Sequence, residues 1–304
     1  MRDLGHIPVV VLSTDPADVR QRVASRSSLP VLAGPVDDRI RGLCGLPNRV
    51  VGLSWGFDIP RLVEDGDAGW LADLDGLLVD SAANERLAMQ AGVPPERITF
   101  LPWGIDLDVF SCTPSSAMPG TPDVPTSSQV VLSLRAHDTV YRIGDILHAW
   151  ALIEEAHPGA TLVVGNGGPE TDALKDLTLA LAITDRVRFI GTLPETDLPE
   201  LLRACACYVS AASVDGTSVT LLQAMACGAP VVVSDIPGNR GWVTEGETGR
   251  LFPVGEVNAL AEVVDRVLRE DSSRMTTAAA ALVRGEADWG RNISRLEQAL
   301  FARI

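Results

Sequence analysis

Short runs of apolar residues alternate along the chain with longer stretches in which apolar positions recur at helical spacing. In the first part, residues 9–12, 31–33, 49–53 and 77–79 predict strands, and residues 17–25 and 84–91 predict helices. The second of these helices is closed by Gly92, Pro94 and Pro95. A further set of strands is predicted at 130–133, 161–164, 187–190, 207–210 and 231–233, with helices at 145–155, 171–182, 198–204 and 219–227. Strand–helix alternation of this kind argues for parallel sheets covered by helices on both faces. Between the two sets, residues 111–128 are rich in Pro, Ser, Thr and Gly and nearly free of apolar side chains, which predicts a linker. The expected division is a first domain over 1–110, a linker over 111–128 and a second domain over 129–285. No tandem repeat is visible.

The most informative stretch is 213–239. Asp215, Gly216, Thr217 and Ser218 form a small polar loop that opens into a helix at Val219. The helix stops at Gly228 and Pro230 and hands over to the apolar run Val231, Val232 and Val233. A glycine-bearing loop at a helix N-terminus presents backbone N–H groups and the positive end of the helix dipole, which suits a diphosphate. Gln223 follows Asp215 by two helical turns, near the same face, so one can meet a sugar while the other reaches a ribose. The loop carries no cation of its own. Arg135 and Arg142 follow the strand at 130–133 and stand as candidates, while His137 between them reads as a loop residue.

This arrangement resembles the donor site of retaining glycosyltransferases of family 4 (group 1), enzymes of the GT-B fold. In that family Glu, seven residues and Glu precede Ala-Met-Ala-x-Gly-x-Pro-Val. Here the spacing is kept with Asp215 and Gln223, and Ala224, Met225, Ala226, Gly228, Pro230 and Val231 match. Trp55, Gly56 and Asp58 are similar to the family's His/Trp-Gly-x-Asp turn on the acceptor side. Trp103 to Asp106 are similar to the end of its first domain, at the floor of the cleft. Gly165, Gly167 and Leu193 stand where the resemblance places strand ends around the nucleotide base. The last helix, about 288–302, is similar to the family's closing helix, so residues 286–304 are expected to return to the first domain.

The resemblance covers most of the chain and implies an α/β protein with two Rossmann-like domains facing each other across a cleft. It implies transfer of a hexose or similar sugar from a nucleotide-diphosphate donor to a glycan, a lipid-linked acceptor or a small molecule. It further implies front-face chemistry with retention, without metal or cofactor. Arg135, Arg142 and Asp215 would be the catalytic residues; Gly216, Thr217, Ser218, Val219, Gln223, Gly165, Gly167 and Leu193 would hold the donor. Trp55, Gly56, Asp58, Trp103 and Asp106 would line the acceptor side.

Two departures stand out. Asp215 is one methylene shorter than glutamate, and Gln223 offers a ribose hydroxyl a carbonyl without charge assistance. Residues 1–6 resemble the tail of the family's first helix, so the first strand and its glycine turn are expected to be missing, with a start upstream of Met1 or a truncated chain as the favoured cause. Two other readings stay open: a nucleotide-sugar-binding partner or regulator without turnover, and another enzyme of the same fold such as a phosphorylase or sugar epimerase. Against a phosphorylase, the single lysine, Lys175, is not in a suitable loop for its cofactor.

Composition narrows the partners. At 304 residues, 46% hydrophobic and 21% charged, the chain can fill two cores. A net charge of −15 gives no electrostatic footprint for nucleic acid. It also repels an anionic membrane overall, although a local basic patch for peripheral contact is compatible with it. No apolar stretch reaches the length of a membrane span, and the start lacks the apolar core of a signal peptide. Five cysteines, an odd number placed mostly inside α/β segments, point to reduced thiols and a cytoplasmic location.

Overall fold

The computed structural model describes residues 16–25, 30–113 and 129–301. The strand expected at 9–12, most of the linker at 114–128 and Ala302 lie outside the described residues. The chain divides into two compact units, one made of residues 1–104 and 289–304 and the other of residues 105–288. The second unit starts ahead of the expected linker because Ile105 pairs with Asp288 and donates its N–H to the Ala287 carbonyl (2.9 Å).

The first unit runs α1 (Pro16–Ala24), β1 (Val31–Ala33), α2 (Asp38–Arg41), β2 (Val50–Leu53), α3 (Asp58–Glu64), β3 (Gly76–Val79), α4 (Ala82–Gln90) and β4 (Ile98–Phe100). The strands pair in parallel in the order β1-β2-β3-β4, with Val51 opposite Gly76 and Leu77 opposite Ile98. Side chains alternate across a strand, so each face collects its own partners. Val50, Leu77 and Val79 pack with Ile40, Leu43, Ile59, Leu71 and Ala88. Val51 and Leu78 face the other way, onto Ile293, Leu296 and Leu300 of the last helix, Trp289–Phe301.

The second unit holds β5 (Gln129–Ser133), α5 (Ile143–Ile153), β6 (Ala160–Gly165), α6 (Thr171–Ala180), β7 (Val187–Gly191), α7 (Leu198–Ala204), β8 (Cys207–Ser210), α8 (Val219–Ala226), β9 (Val231–Ser234), α9 (Pro237–Arg240), β10 (Arg250–Phe252), α10 (Val257–Arg269) and α11 (Ser273–Glu286). The last helix of the chain, in the first unit, is α12. All six strands of this sheet are parallel, in the order β10-β9-β8-β5-β6-β7. Counted within the unit that order is 3-2-1-4-5-6, read from β7, and it reverses between β5 and β8. Strands β6, β8 and β9 are buried along their whole length, as a sheet covered on both faces requires. Trp150, Leu147, Val131, Val209 and Leu260 are among the side chains of one continuous core.

Two Rossmann-like α/β units with parallel sheets are therefore present. The elements absent from the sequence reading are the short α2, α3 and α9, strands β4 and β10, and the helices α10 and α11. The helix read at 145–155 starts earlier and ends in a 3-10 turn at Glu154–Ala156. Among the described residues, no helix is long and apolar enough to cross a membrane. All five cysteines are free.

Candidate active site

In an open parallel sheet, ligands bind outside the carboxyl ends of the strands where the strand order reverses, because the crossovers diverge there and leave a crevice. Here that point lies between β5 and β8. Arg135 stands just past β5 and Asp215 in the loop after β8, and the two meet: Arg135 Nη2 lies 2.7 Å from Asp215 Oδ2. Their side chains are only 11% and 18% exposed, so the pair is little screened by water.

A hydrogen-bonded chain fixes this pair to the start of α8. Arg135 Nη1 donates to Ser218 Oγ and, at 3.4 Å, to Thr220 Oγ1. Thr220 Oγ1 is 2.9 Å from the hydroxyl of Tyr208, a fully buried residue of β8. Ser218 is the N-cap of α8, its hydroxyl accepting from the Leu221 N–H at 3.4 Å. Among the described residues the N–H groups of Val219 and Thr220, in the first turn of α8, meet no acceptor and stand as donors at the positive end of the helix. Burial works against the charge of Arg135, and the Asp215 carboxylate, Tyr208 and Tyr141 together more than offset it, leaving its pKa above the usual value. Burial lifts the pKa of Asp215, with the Arg135 charge and the Gly216 N–H pulling the other way. Among the described residues Arg135 Nε, which is buried, has no partner.

The loop itself is held from outside. A Cβ on Gly238 of α9 would stand 2.1 Å from the Gly216 carbonyl oxygen and 2.4 Å from that of Asp215, so only glycine lets the backbones approach this closely. Trp242 donates its indole N–H to Thr217 Oγ1 at 3.3 Å. The Ser213 N–H and hydroxyl both donate to the Val140 carbonyl, at 2.8 and 3.1 Å. At its far end α8 closes on Gly228 with φ 80, whose N–H donates to the Met225 carbonyl while that of Ala229 donates to Ala224.

The other expected donor residues are placed as follows. Gln223 is buried on α8, and among the described residues its Oε1 has no hydrogen-bond partner. Arg142 does not join the Asp215 loop; its Nε donates to Asp145 Oδ2 at 2.7 Å, and its backbone is left-handed, with φ 50. Gly165 ends β6, where a Cβ would meet Leu134 Cδ2 at 2.7 Å. Gly167 accepts the His137 N–H at 3.1 Å, and Leu193 is half-buried past β7. His137 lies in the loop after β5, as its sequence predicts, and its side chain turns inward. It is fully buried, with Nε2 donating to the Gly165 carbonyl at 3.1 Å and Nδ1 accepting from the Thr171 hydroxyl at 2.8 Å. Burial lowers its pKa, which keeps the ring neutral and makes it a brace for the turn after β6. Tyr141, which motif spacing did not single out, places its ring 4.2 Å from the Arg135 guanidinium carbon. Among the described residues no group of three or more His, Cys, Asp and Glu converges as a metal-ligand set.

In the first unit, Asp58 is buried and accepts four bonds, from Val36 N–H, Trp55 N–H, Ser54 hydroxyl and Ile59 N–H, between 2.6 and 3.0 Å. That carboxylate holds its own turn. Gly56, at φ 95, allows the turn, and its carbonyl accepts from Asn84 Nδ2 at 3.1 Å. Trp55 is 47% exposed on this braced turn. Trp103 is half-buried next to Gly104, where a Cβ would meet the Trp289 backbone at 2.6 Å. Asp106, in the second unit, is exposed and caps its own turn by accepting from the Asp108 N–H at 2.9 Å.

Residues 119–282 match the family described as glycosyl transferases group 1. The chain belongs to the group 1 glycosyltransferases. A curated relative, the D-inositol 3-phosphate glycosyltransferase of Mycobacterium tuberculosis, is 30% identical over 218 residues, 69% of this chain and 44% of the relative. The match thus spans less than half the length of that protein. Among solved structures, Anabaena HepE in complex with UDP and glucose superposes with a TM-score of 0.83 at 19% identity, covering 99% of this chain and 88% of that one. Sucrose-phosphate synthase from Thermosynechococcus elongatus gives 0.71 at 21% identity, covering 84% and 68%. The GT-B fold of this group 1 glycosyltransferase agrees with both likenesses.

Proposed function

We propose that the chain transfers a sugar from a nucleotide-diphosphate donor with retention, as a family 4 enzyme, acting in the cytoplasm on a glycan, lipid-linked or small-molecule acceptor. The observation that carries this reading is the Arg135–Asp215 pair at the strand-order reversal, set against the open N-terminus of α8. The diphosphate would lie on the Val219 and Thr220 N–H groups with Arg135 beside it, and Gln223 would meet the ribose. Asp215 would orient a sugar hydroxyl, directly or through water. Arg142 is the second cation of the reading, delivered on release from Asp145.

In the front-face step the acceptor oxygen bonds to the anomeric carbon on the side from which the diphosphate leaves. The carbon–oxygen bond to the diphosphate breaks, and a diphosphate oxygen takes the hydroxyl proton. Negative charge grows on that leaving group, and prealigned N–H dipoles and a guanidinium are suited to stabilise it. These groups supply the charge compensation that a divalent cation would otherwise give, which supports transfer without metal or cofactor. The UDP and UDP-glucose complexes of HepE make uridine donors the first class to try.

The test is calorimetry of the whole chain with UDP, GDP, ADP and their sugar derivatives in chelator-treated buffer. Product formation and the anomeric configuration are then followed by NMR. Selective diphosphate binding with turnover to the retained anomer is the expected result. Inverted product, or strict dependence on added metal, would overturn the mechanism; binding without turnover would point to a regulator.

A further inference from the structure

The in-plane edge of the Arg135 guanidinium is heavily used in the free chain. Nη2 is on Asp215, Nη1 is on Ser218 and Thr220, and Nε is buried with no partner among the described residues. Any anion that approaches must share those same edges. Tyr141 meets Arg135 differently from those partners, through its ring: the guanidinium carbon lies over that ring, 4.2 Å from the centroid. A ring face attracts a cation most strongly where water is excluded, and Arg135 is only 11% exposed.

The segment carrying Tyr141 is built to stay put. It forms the 3-10 turn Thr139–Tyr141, whose cap Asp138 accepts the Val140 N–H at 3.3 Å. The Tyr141 N–H returns to the Asp138 carbonyl at 3.0 Å. The neighbouring Val140 carbonyl takes both donors of Ser213, tying the turn to the loop that bears Asp215. Directly after Tyr141, Arg142 adopts a left-handed backbone with φ 50, a conformation that non-glycine residues hold where surrounding structure enforces it.

Resting on the donor-site reading above, we propose that Tyr141 is a positioning residue. Its ring, lying under the guanidinium carbon, anchors the Arg135 head group, so that its N–H donors can turn from Asp215 toward the diphosphate without the side chain swinging away. The contact acts on the charged part of the donor only. A nucleoside without phosphates gains nothing from it.

The experiment is calorimetry on the full chain with UDP, GDP and ADP and the matching nucleosides, for the wild type, Tyr141→Leu and Tyr141→Phe. The advantage of the preferred diphosphate over its nucleoside is expected to fall about tenfold in Tyr141→Leu, with nucleoside affinity unchanged. Tyr141→Phe, which keeps the ring, is expected to restore that advantage to within about threefold of the wild type. An unchanged advantage in Tyr141→Leu would overturn the proposal. So would equal losses for diphosphate and nucleoside, which would mark a merely structural role, or failure of phenylalanine to rescue. A wild type with no preference for any diphosphate would overturn the donor-site reading itself, and the proposal with it.

Discussion

Replacing Arg135 by methionine keeps much of the side-chain volume and removes the cation from Asp215. At neutral pH this leaves a carboxylate that is 18% exposed without its partner at 2.7 Å. Removing one member of a buried pair costs about 3–5 kcal/mol. The remaining solvent contact of the two side chains brings the expectation down to about 2–3 kcal/mol. The loss depends on pH in a definite sense. Burial already raises the Asp215 pKa above the ordinary 3.8, and deleting Arg135 removes an influence that lowers it. A carboxyl whose folded pKa exceeds its unfolded value holds its proton more tightly when folded. Stability therefore falls as pH rises from the ordinary value to the raised one, and is level above it. The deficit of Arg135→Met relative to wild type is small near the ordinary carboxylate pKa. It grows toward neutrality by at most about 1.4 kcal/mol per pH unit. Urea unfolding followed by circular dichroism from about pH 4 to pH 8 reads this directly, and Asp215→Asn in the same chain should recover most of the loss. A deficit that is the same at every pH, or that asparagine leaves in place, would refute the pairing. Transfer activity of Arg135→Met is expected to fall by about a hundredfold to a thousandfold, the scale of one lost transition-state donor.

Gly238→Ala drives a methyl group into the Asp215 and Gly216 carbonyls; it should cost about 1–3 kcal/mol and abolish diphosphate binding in calorimetry while far-ultraviolet dichroism stays unchanged. Gln223→Leu removes a buried carbonyl oxygen that has no partner among the described residues, so thermal stability should hold or rise while donor affinity drops about tenfold; a drop in melting temperature without an affinity change would contradict the ribose role. Thiol alkylation near pH 8, mapped by mass spectrometry, should label the exposed Cys112 first. Burial pushes Cys205 and Cys227 up to about 12 and Cys207 well above its usual range, so rapid labelling of these three in the native chain would contradict the packing of β8 and the end of α8.

Local signals carried the sheets. Runs such as 161–164 and 231–233 are strands because parallel strands covered on both faces must be apolar throughout, and β6 and β9 are buried along their length. The apolar stripe of α10 at Leu260, Ala261, Val264, Val267 and Leu268 is equally legible by its helical spacing. Short α3 was hidden because Pro60 falls early in it and Phe57, without a capping side chain, precedes it. In the site, the loop and helix from Asp215 to Gln223 could be read from glycine, cap and period. The union of Arg135 with Asp215, the Tyr141 ring and the wall at Gly238 could not, because these contacts join residues far apart in sequence. The burial of His137 was invisible for the same reason: its partners Gly165 and Thr171 arrive with the next strand and helix.

The packing of α12 on the first sheet sets an order of events during synthesis. Val51 and Leu78 leave the ribosome early, yet the side chains that cover them, from Ile293 onward, emerge some 215 residues after Leu78 (293 minus 78). At about 5–20 residues per second that is a delay on the order of 10–40 s. Throughout it one face of the first sheet stays uncovered while the second unit, whose core needs no later segment, is free to fold. The first sheet, synthesised ahead of the second unit, is thus completed only after that unit's last residue has been made.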